Sequence, residues 1–219
     1  SSNKIRFMGI KLEKQNYNHM KKNSFYIMIV LGLMTYSCSL ELQTDYDYKA
    51  STIDPHIPMT AWEYFNTRTD LFSIFIEAVE YTELKNYYTQ TDEKYTFLAL
   101  TNMAMTSYMQ DRFPGVLSIS ECNKESVKQL LLYHLVQGEY SAYKQLDVEP
   151  MYVLTMLKGE EGLMTMLTRK NPWQADAGKV IVNDTGSNGN SYMRAAVTSN
   201  IMPTNGVIHI FDAFCYYRK

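Results

Sequence analysis

The chain has 219 residues, 46% of them hydrophobic and 20% charged, too apolar for a disordered protein and too short for two large domains. Ten glycines, six prolines and three cysteines exclude collagen-like, linker-like and disulfide-scaffold classes. The net charge of −2 hides an asymmetry, because residues 1–37 set six basic side chains against Glu13 while the remainder carries 15 basic and 22 acidic ones. An acidic body argues against nucleic acid or an anionic lipid surface as the main partner. No run reaches the roughly 18 apolar residues of a membrane-spanning helix.

Residues 1–19 read as an upstream remnant, and residues 20–37 as an export signal. Lys21 and Lys22 supply the positive end, Phe25 to Met34 the short apolar stretch, and Ser37 a small residue before Cys38. This arrangement is similar to the lipobox of bacterial lipoproteins, with Thr35 in place of the usual leucine and a bulky Tyr36. It implies acylation of the Cys38 thiol, cleavage just before it, and anchorage in the cell envelope, at the outer membrane on its periplasmic or outward side. Each buried methylene of an acyl chain contributes about 0.8 kcal/mol, and two chains make a lasting anchor. An ordinary secretory signal that happens to contain Cys38 is the competing reading. Residues 38–59 follow as an acidic tether with Glu41, Asp45, Asp47, Asp54, Pro55 and Pro58 and no periodicity.

Residues 60–219 form the folded body. Thr60 and Glu63 have capping-box spacing, which predicts a short helix carrying Trp62 and Phe65. Asp70 is placed to cap the next helix, where Leu71, Phe72, Phe75, Ile76 and Val79 recur at helical spacing. A further turn of helix is expected over 83–88, then a strand over 95–99. Thr101 or Asn102 is placed to cap a helix through Met103–Met109, broken by Pro114 and Gly115. Residues 124–132 are amphipathic. Strands are then expected over 134–136, 152–157, 163–167, 179–182, 192–197 and 207–211, with Gly159 to Gly162 as a hairpin turn. Helices first and strands second predict an α+β domain.

Three segments resemble the fasciclin domain family. Residues 96–105, Thr-Phe-Leu-Ala-Leu-Thr-Asn-Met-Ala-Met, are similar to its first signature, a strand running into a Thr-Asn helix start. Tyr133-His134 follows an amphipathic helix as the family's Tyr-His motif does. Asn205-Gly-Val-Ile-His-Ile-Phe-Asp212 resembles the second signature. Leu100 stands where the family has proline, Met105 where it has phenylalanine, and the stretch from Pro150 to Trp173 is longer. The resemblance covers about 60–214 and implies a fasciclin-like fold, with N-terminal helices packed on a twisted antiparallel β-sheet wedge. It marks Thr101, Asn102, Tyr133, His134, Asn205, Gly206, His209 and Asp212 as signature residues with structural roles. Asn205-Gly206 is itself a turn signal, since both residues tolerate positive φ, and a buried His134 or His209 needs hydrogen-bond partners.

No catalytic, metal or cofactor site is expected. The four histidines are dispersed, and neither His-x-x-x-His nor Cys-x-x-Cys occurs. Asp184 to Asn190 superficially resembles a calcium loop, but Ala195 stands where the bidentate glutamate belongs. Cys122 and Cys215 are equally compatible with a disulfide and with two thiols. Three functional readings follow. The first is a lipid-anchored, non-enzymatic binding or adhesion module making protein or matrix contacts. The second is a carbohydrate-binding accessory lipoprotein whose 18 tyrosines include exposed ones that stack on a surface glycan. The third and least supported is a hydrolase using paired carboxylates.

Overall fold

The computed structural model describes residues 54–170, 178–185 and 191–216. The signal, Cys38 and most of the tether lie outside the described residues. Among these residues the helices come first. α1 (Ala61–Thr67) begins at the expected capping box: Glu63 N–H donates to Thr60 Oγ1 at 3.3 Å and Thr60 N–H to Glu63 Oε2 at 2.7 Å. α2 (Thr69–Tyr81) is capped differently from the expectation. Arg68 alone separates it from α1, so the chain has no room for an extended side-chain cap. Asp70 instead sits in the first turn, where the helix dipole favours a carboxylate, and accepts from Arg68 Nε and Nη2 at 3.1 Å.

Both helices and α3 (Lys85–Thr89) pour aromatic side chains into one core. Phe65 meets Phe72 at 5.1 Å and Phe75 at 5.3 Å, Phe75 meets Tyr88 at 5.9 Å, and Tyr88 meets Phe97 at 5.2 Å. The first three pairs are edge-on and the last is tilted at 31°; aromatic pairs add about 0.5–1.5 kcal/mol each beyond the burial of area. Phe97 belongs to β1 (Tyr95–Leu100), buried at every position, so the aromatic chain ties helices to sheet. α4 (Asn102–Arg112) and α5 (Lys124–Tyr133) complete the helical layer, burying Met105, Tyr108, Val127, Leu130 and Leu131.

The other strands are β2 (Leu135–Gln137), β3 (Met151–Leu154), β4 (Leu163–Arg169), β5 (Lys179–Val182), β6 (Arg194–Ala195), β7 (Thr198–Ile201) and β8 (Gly206–Phe211). They form two four-stranded sheets, ordered β2-β1-β8-β7 and β3-β4-β5-β6. The α+β class expected from the sequence is the one observed. The second sheet is antiparallel throughout. In the first, β1 and β8 run parallel, from Tyr95 opposite Gly206 to Leu100 opposite Phe211, and both are buried at every position, as interior parallel strands are. The sheets join where Val136 bridges Thr155 and Met156 N–H donates to Leu135 O at 2.8 Å.

Two further expectations need correction. The single strand expected over 192–197 is short β6 followed by β7, which leaves the second sheet for the first. Polar Thr198-Ser-Asn hides β7 from periodicity, and Asn200, at φ 64°, makes a bulge in it. The end of the expected tether is also part of the body: Ile57 N–H donates to Met202 O, Met202 N–H to Pro55 O, and Thr204 N–H to Met59 O, at 2.8–3.0 Å. Short polar stretches with prolines lack periodicity whether they are free or pinned to a sheet.

Candidate functional site

The signature residues occupy three junctions. At the first, Thr101 caps α4, its Oγ1 accepting Ala104 N–H at 3.4 Å, while its own N–H donates to Phe211 O at 3.0 Å. Asn102 reaches into α2. Its Oδ1 accepts Ile74 N–H at 3.0 Å and its Nδ2 donates to Asp70 O at 3.2 Å, the two groups that pair with each other in an ideal helix. One side chain therefore splices α4 onto α2.

At the second junction Asn205, fully buried, does what α1 and α3 leave undone. Its Oδ1 accepts Ala61 N–H at 2.8 Å and its Nδ2 donates to Tyr88 O at 2.9 Å. Helix ends expose such unmatched groups, and burial makes their satisfaction obligatory. Positive φ is not the reason for this asparagine, since Glu83, Asn183 and Asn200 are the described non-glycine residues that adopt it. Gly206 does, at φ 151°, and a Cβ there would lie 1.8 Å from the Tyr95 carbonyl. The absent side chain lets β8 start flush against β1. Asp212, exposed, follows the strand's far end.

The third junction holds the histidines. His209 is buried in β8, its Nε2 donating to Tyr140 O at 2.8 Å and its Nδ1 accepting Asn200 N–H at 3.2 Å. Asn200 Oδ1 in turn accepts Ala142 N–H at 2.8 Å, and Thr96 Oγ1 joins Gly138 O to Tyr140 N–H at 2.8 Å each. The loop after β2 is thus pinned to the sheet face. His134 ends α5, with Nδ1 donating to Leu130 O at 2.8 Å and Nε2 accepting Cys215 N–H at 3.2 Å, 3.0 Å from the thiol. Tyr133 sends its hydroxyl toward Leu163 O and Asn183 Oδ1, at 3.3 and 3.2 Å, linking α5 to the second sheet.

Burial pulls both histidine pKa values down to about 4, opposed by the carbonyl each one faces, and pushes the Cys215 thiol up to about 12. Neutral imidazoles with both nitrogens engaged, beside a protonated thiol, make cross-links rather than a base and a nucleophile. Cys122 and Cys215 are separate buried thiols. Among the described residues no group of three or more histidine, cysteine or carboxylate side chains is placed to hold a metal ion. Of the suspected calcium loop, Asp184 lies within the described residues and pairs with Arg169 at 3.4 Å.

Thr96, at the start of the first signature segment, and Asn183 and Asn200, outside the signatures, complete these junctions. An asparagine inside a β-rich stretch was the available signal, since asparagine tolerates left-handed backbone.

Among the described residues, β3 presents two exposed apolar side chains in one strand. On β3, Met151 and Val153 turn inward while Tyr152 and Leu154 are 63% and 69% exposed. β3 is an edge strand, paired with β4 on one side, and meets β2 only beyond its end, at Thr155. A half-open cleft of about 270 Å³ lies at that divergence, lined by Leu154, Thr155, Leu157, Lys158 and Leu163. Gly162 shapes it, because a Cβ there would strike the Leu157 carbonyl at 1.6 Å.

Compared with known proteins, the chain matches the family model described as Fasciclin domain over residues 70–215, about two-thirds of its length. A FAS1 domain pair from the insect cell adhesion molecule Fasciclin I is a similar solved structure, at 16% identity and a TM-score of 0.46. The match takes in 71% of this chain and 45% of that one, so the chain spans under half its length. With the family model covering that share of the sequence, and its signature residues forming the junctions between helices and sheets, the chain belongs to the fasciclin domain family.

Proposed function

We propose that this protein is a contact-making module of the cell envelope, tethered by a lipid on Cys38 and working through its surface rather than by catalysis. The family's association with adhesion and protein contacts supports the general role. The observation that carries the particular reading is the β3 edge, which presents Tyr152 and Leu154 to solvent beside the cleft. Apolar side chains on an exposed edge strand are costly to leave uncovered, because the strand is a template for pairing with another chain. The partner in this reading is a protein at the cell surface.

Adhesion of cells displaying the protein tests it. Replacing Tyr152 and Leu154 together by serine should leave the melting temperature within a degree or two and abolish attachment. Attachment that survives the double change refutes the β3 surface. Cys38→Ala should leave the domain folded and release it from membranes, and unchanged fractionation refutes the anchor. The carbohydrate reading draws on exposed Tyr143 and Tyr152, 55% and 63% accessible. Sugar-dependent retardation in an affinity gel would favour it over a protein partner.

A further inference from the structure

After β8 the chain crosses the end of α5 as a short segment, residues 213–216, without joining either sheet. Its polar attachments to neighbouring elements include three. Cys215 N–H donates to His134 Nε2 at 3.2 Å, the Cys215 carbonyl accepts Tyr192 N–H at 3.0 Å, and the Phe214 carbonyl accepts Arg194 Nε at 3.1 Å. Phe214 packs edge-on against Tyr108 at 5.4 Å and Tyr192 at 5.8 Å, and the Tyr216 ring lies 5.0 Å from Tyr133.

His134 allows this arrangement in one protonation state. The Leu130 carbonyl can only accept, so Nδ1 carries the hydrogen and Nε2 is the acceptor for Cys215. A proton on Nε2 would set one N–H against another, orphaning the Cys215 N–H and leaving Nε2–H only the weakly accepting thiol sulfur 3.0 Å away. The closed segment therefore disfavours the imidazolium.

We infer that His134 is an acid-released latch: protonation of Nε2 frees the 213–216 segment and uncovers the aromatic faces of Tyr108, Tyr133 and Tyr192 while both sheets remain folded. The groups around the imidazole favour release over accommodation. Its own helix contributes the Tyr133 ring at 5.8 Å, and the segment contributes the Cys215 thiol and, through Tyr133, Tyr216. β1 meets it through the Leu98 N–H, which donates to the His134 carbonyl at 2.9 Å, and β6 brings the Arg194 charge near Cys215. This set contains no carboxylate to stabilise the imidazolium in place. The low pKa of His134, set by burial, gives the latch its range. His209 has equivalent bonding, but it stands in β8, where release means breaking a ladder.

The two buried thiols test the latch within one molecule, because Cys122 is far from either histidine in the bonding network, its Sγ donating to Ser118 O at 3.8 Å. The full-length protein is treated with 4,4′-dithiodipyridine, which exchanges with thiols in acid, and the label is located by peptide mass. Relative to a free cysteine peptide at each pH, Cys215 labelling should rise about tenfold per pH unit as pH falls from 6.5 toward 4. Cys122 should stay protected. His134→Gln, which cannot titrate, should flatten the Cys215 profile, and His209→Gln should leave it unchanged. A flat profile in the unmodified protein, parallel labelling of both cysteines, or a slope that persists in His134→Gln would overturn the latch. If His134→Gln does not fold, the comparison of the two thiols in the unmodified protein decides.

Discussion

Asn205 accepts the backbone N–H of Ala61, 144 positions earlier, at 2.8 Å and donates to Tyr88 O at 2.9 Å. One amide thus closes the start of α1 and the end of α3 against the turn that launches β8. Asn205→Ala orphans a buried donor and a buried acceptor, each costing about 1–3 kcal/mol. The expected loss is about 3 kcal/mol, read as a lower urea midpoint with an unchanged slope. An unmoved midpoint would mean that water replaces both bonds.

Gly206 should tolerate even less. Turn strain alone predicts a loss of roughly 1–3 kcal/mol for Gly206→Val. The Tyr95 carbonyl, 1.8 Å from the Cβ position, is backbone within a parallel ladder and cannot swing aside. Gly206→Ala should therefore cost more than about 3 kcal/mol, since overpacking adds to strain, and soluble yield should fall with it. A denaturation midpoint equal to the parent's would contradict the close approach.

Acid should weaken the whole fold through His209. Its pKa is about 4 in the folded protein against 6.5 for an ordinary histidine, so the unfolded chain binds the extra proton first. Stability is intact above about pH 6.5 and declines as pH falls toward 4, by roughly 3 kcal/mol from His209 alone, with His134 adding its own share. Urea midpoints measured across that range should show the decline, and His209→Gln should reduce its slope. A midpoint independent of pH between 6.5 and 4 would show that His209 is not held neutral.

Asn102→Ala tests the splice between α4 and α2. The side chain is only half-buried, so water can reach Ile74 N–H and Asp70 O once it is gone, and the loss should be about 1–2 kcal/mol. Amide exchange at Ile74 should quicken more than at Ala78. Equal acceleration along the helix would indicate global destabilisation instead.

The sequence alone determined what depends on neighbours a few positions apart. The Thr60 and Glu63 capping box, a cap at Thr101 or Asn102, the hydrophobic faces of α2 and α5 and the break at Pro114-Gly115 all follow from helical period and local hydrogen bonding. The signature segments named the family and marked residues that matter, and the α+β class follows from the order of patterns. Tertiary structure decided everything carried by partners far along the chain. β1 and β8 are interior strands buried at every position and pair in parallel, a pairing that an apolar run permits but does not direct. Asn205 is a helix-end bond rather than a positive-φ residue because α1 and α3 happen to end beside it. His134 and His209 are neutral cross-links because burial charges a penalty for ionisation, while the amides of Cys215 and Asn200 each require an acceptor. Pairing, burial and protonation state are properties of three-dimensional surroundings, and no local pattern encodes them.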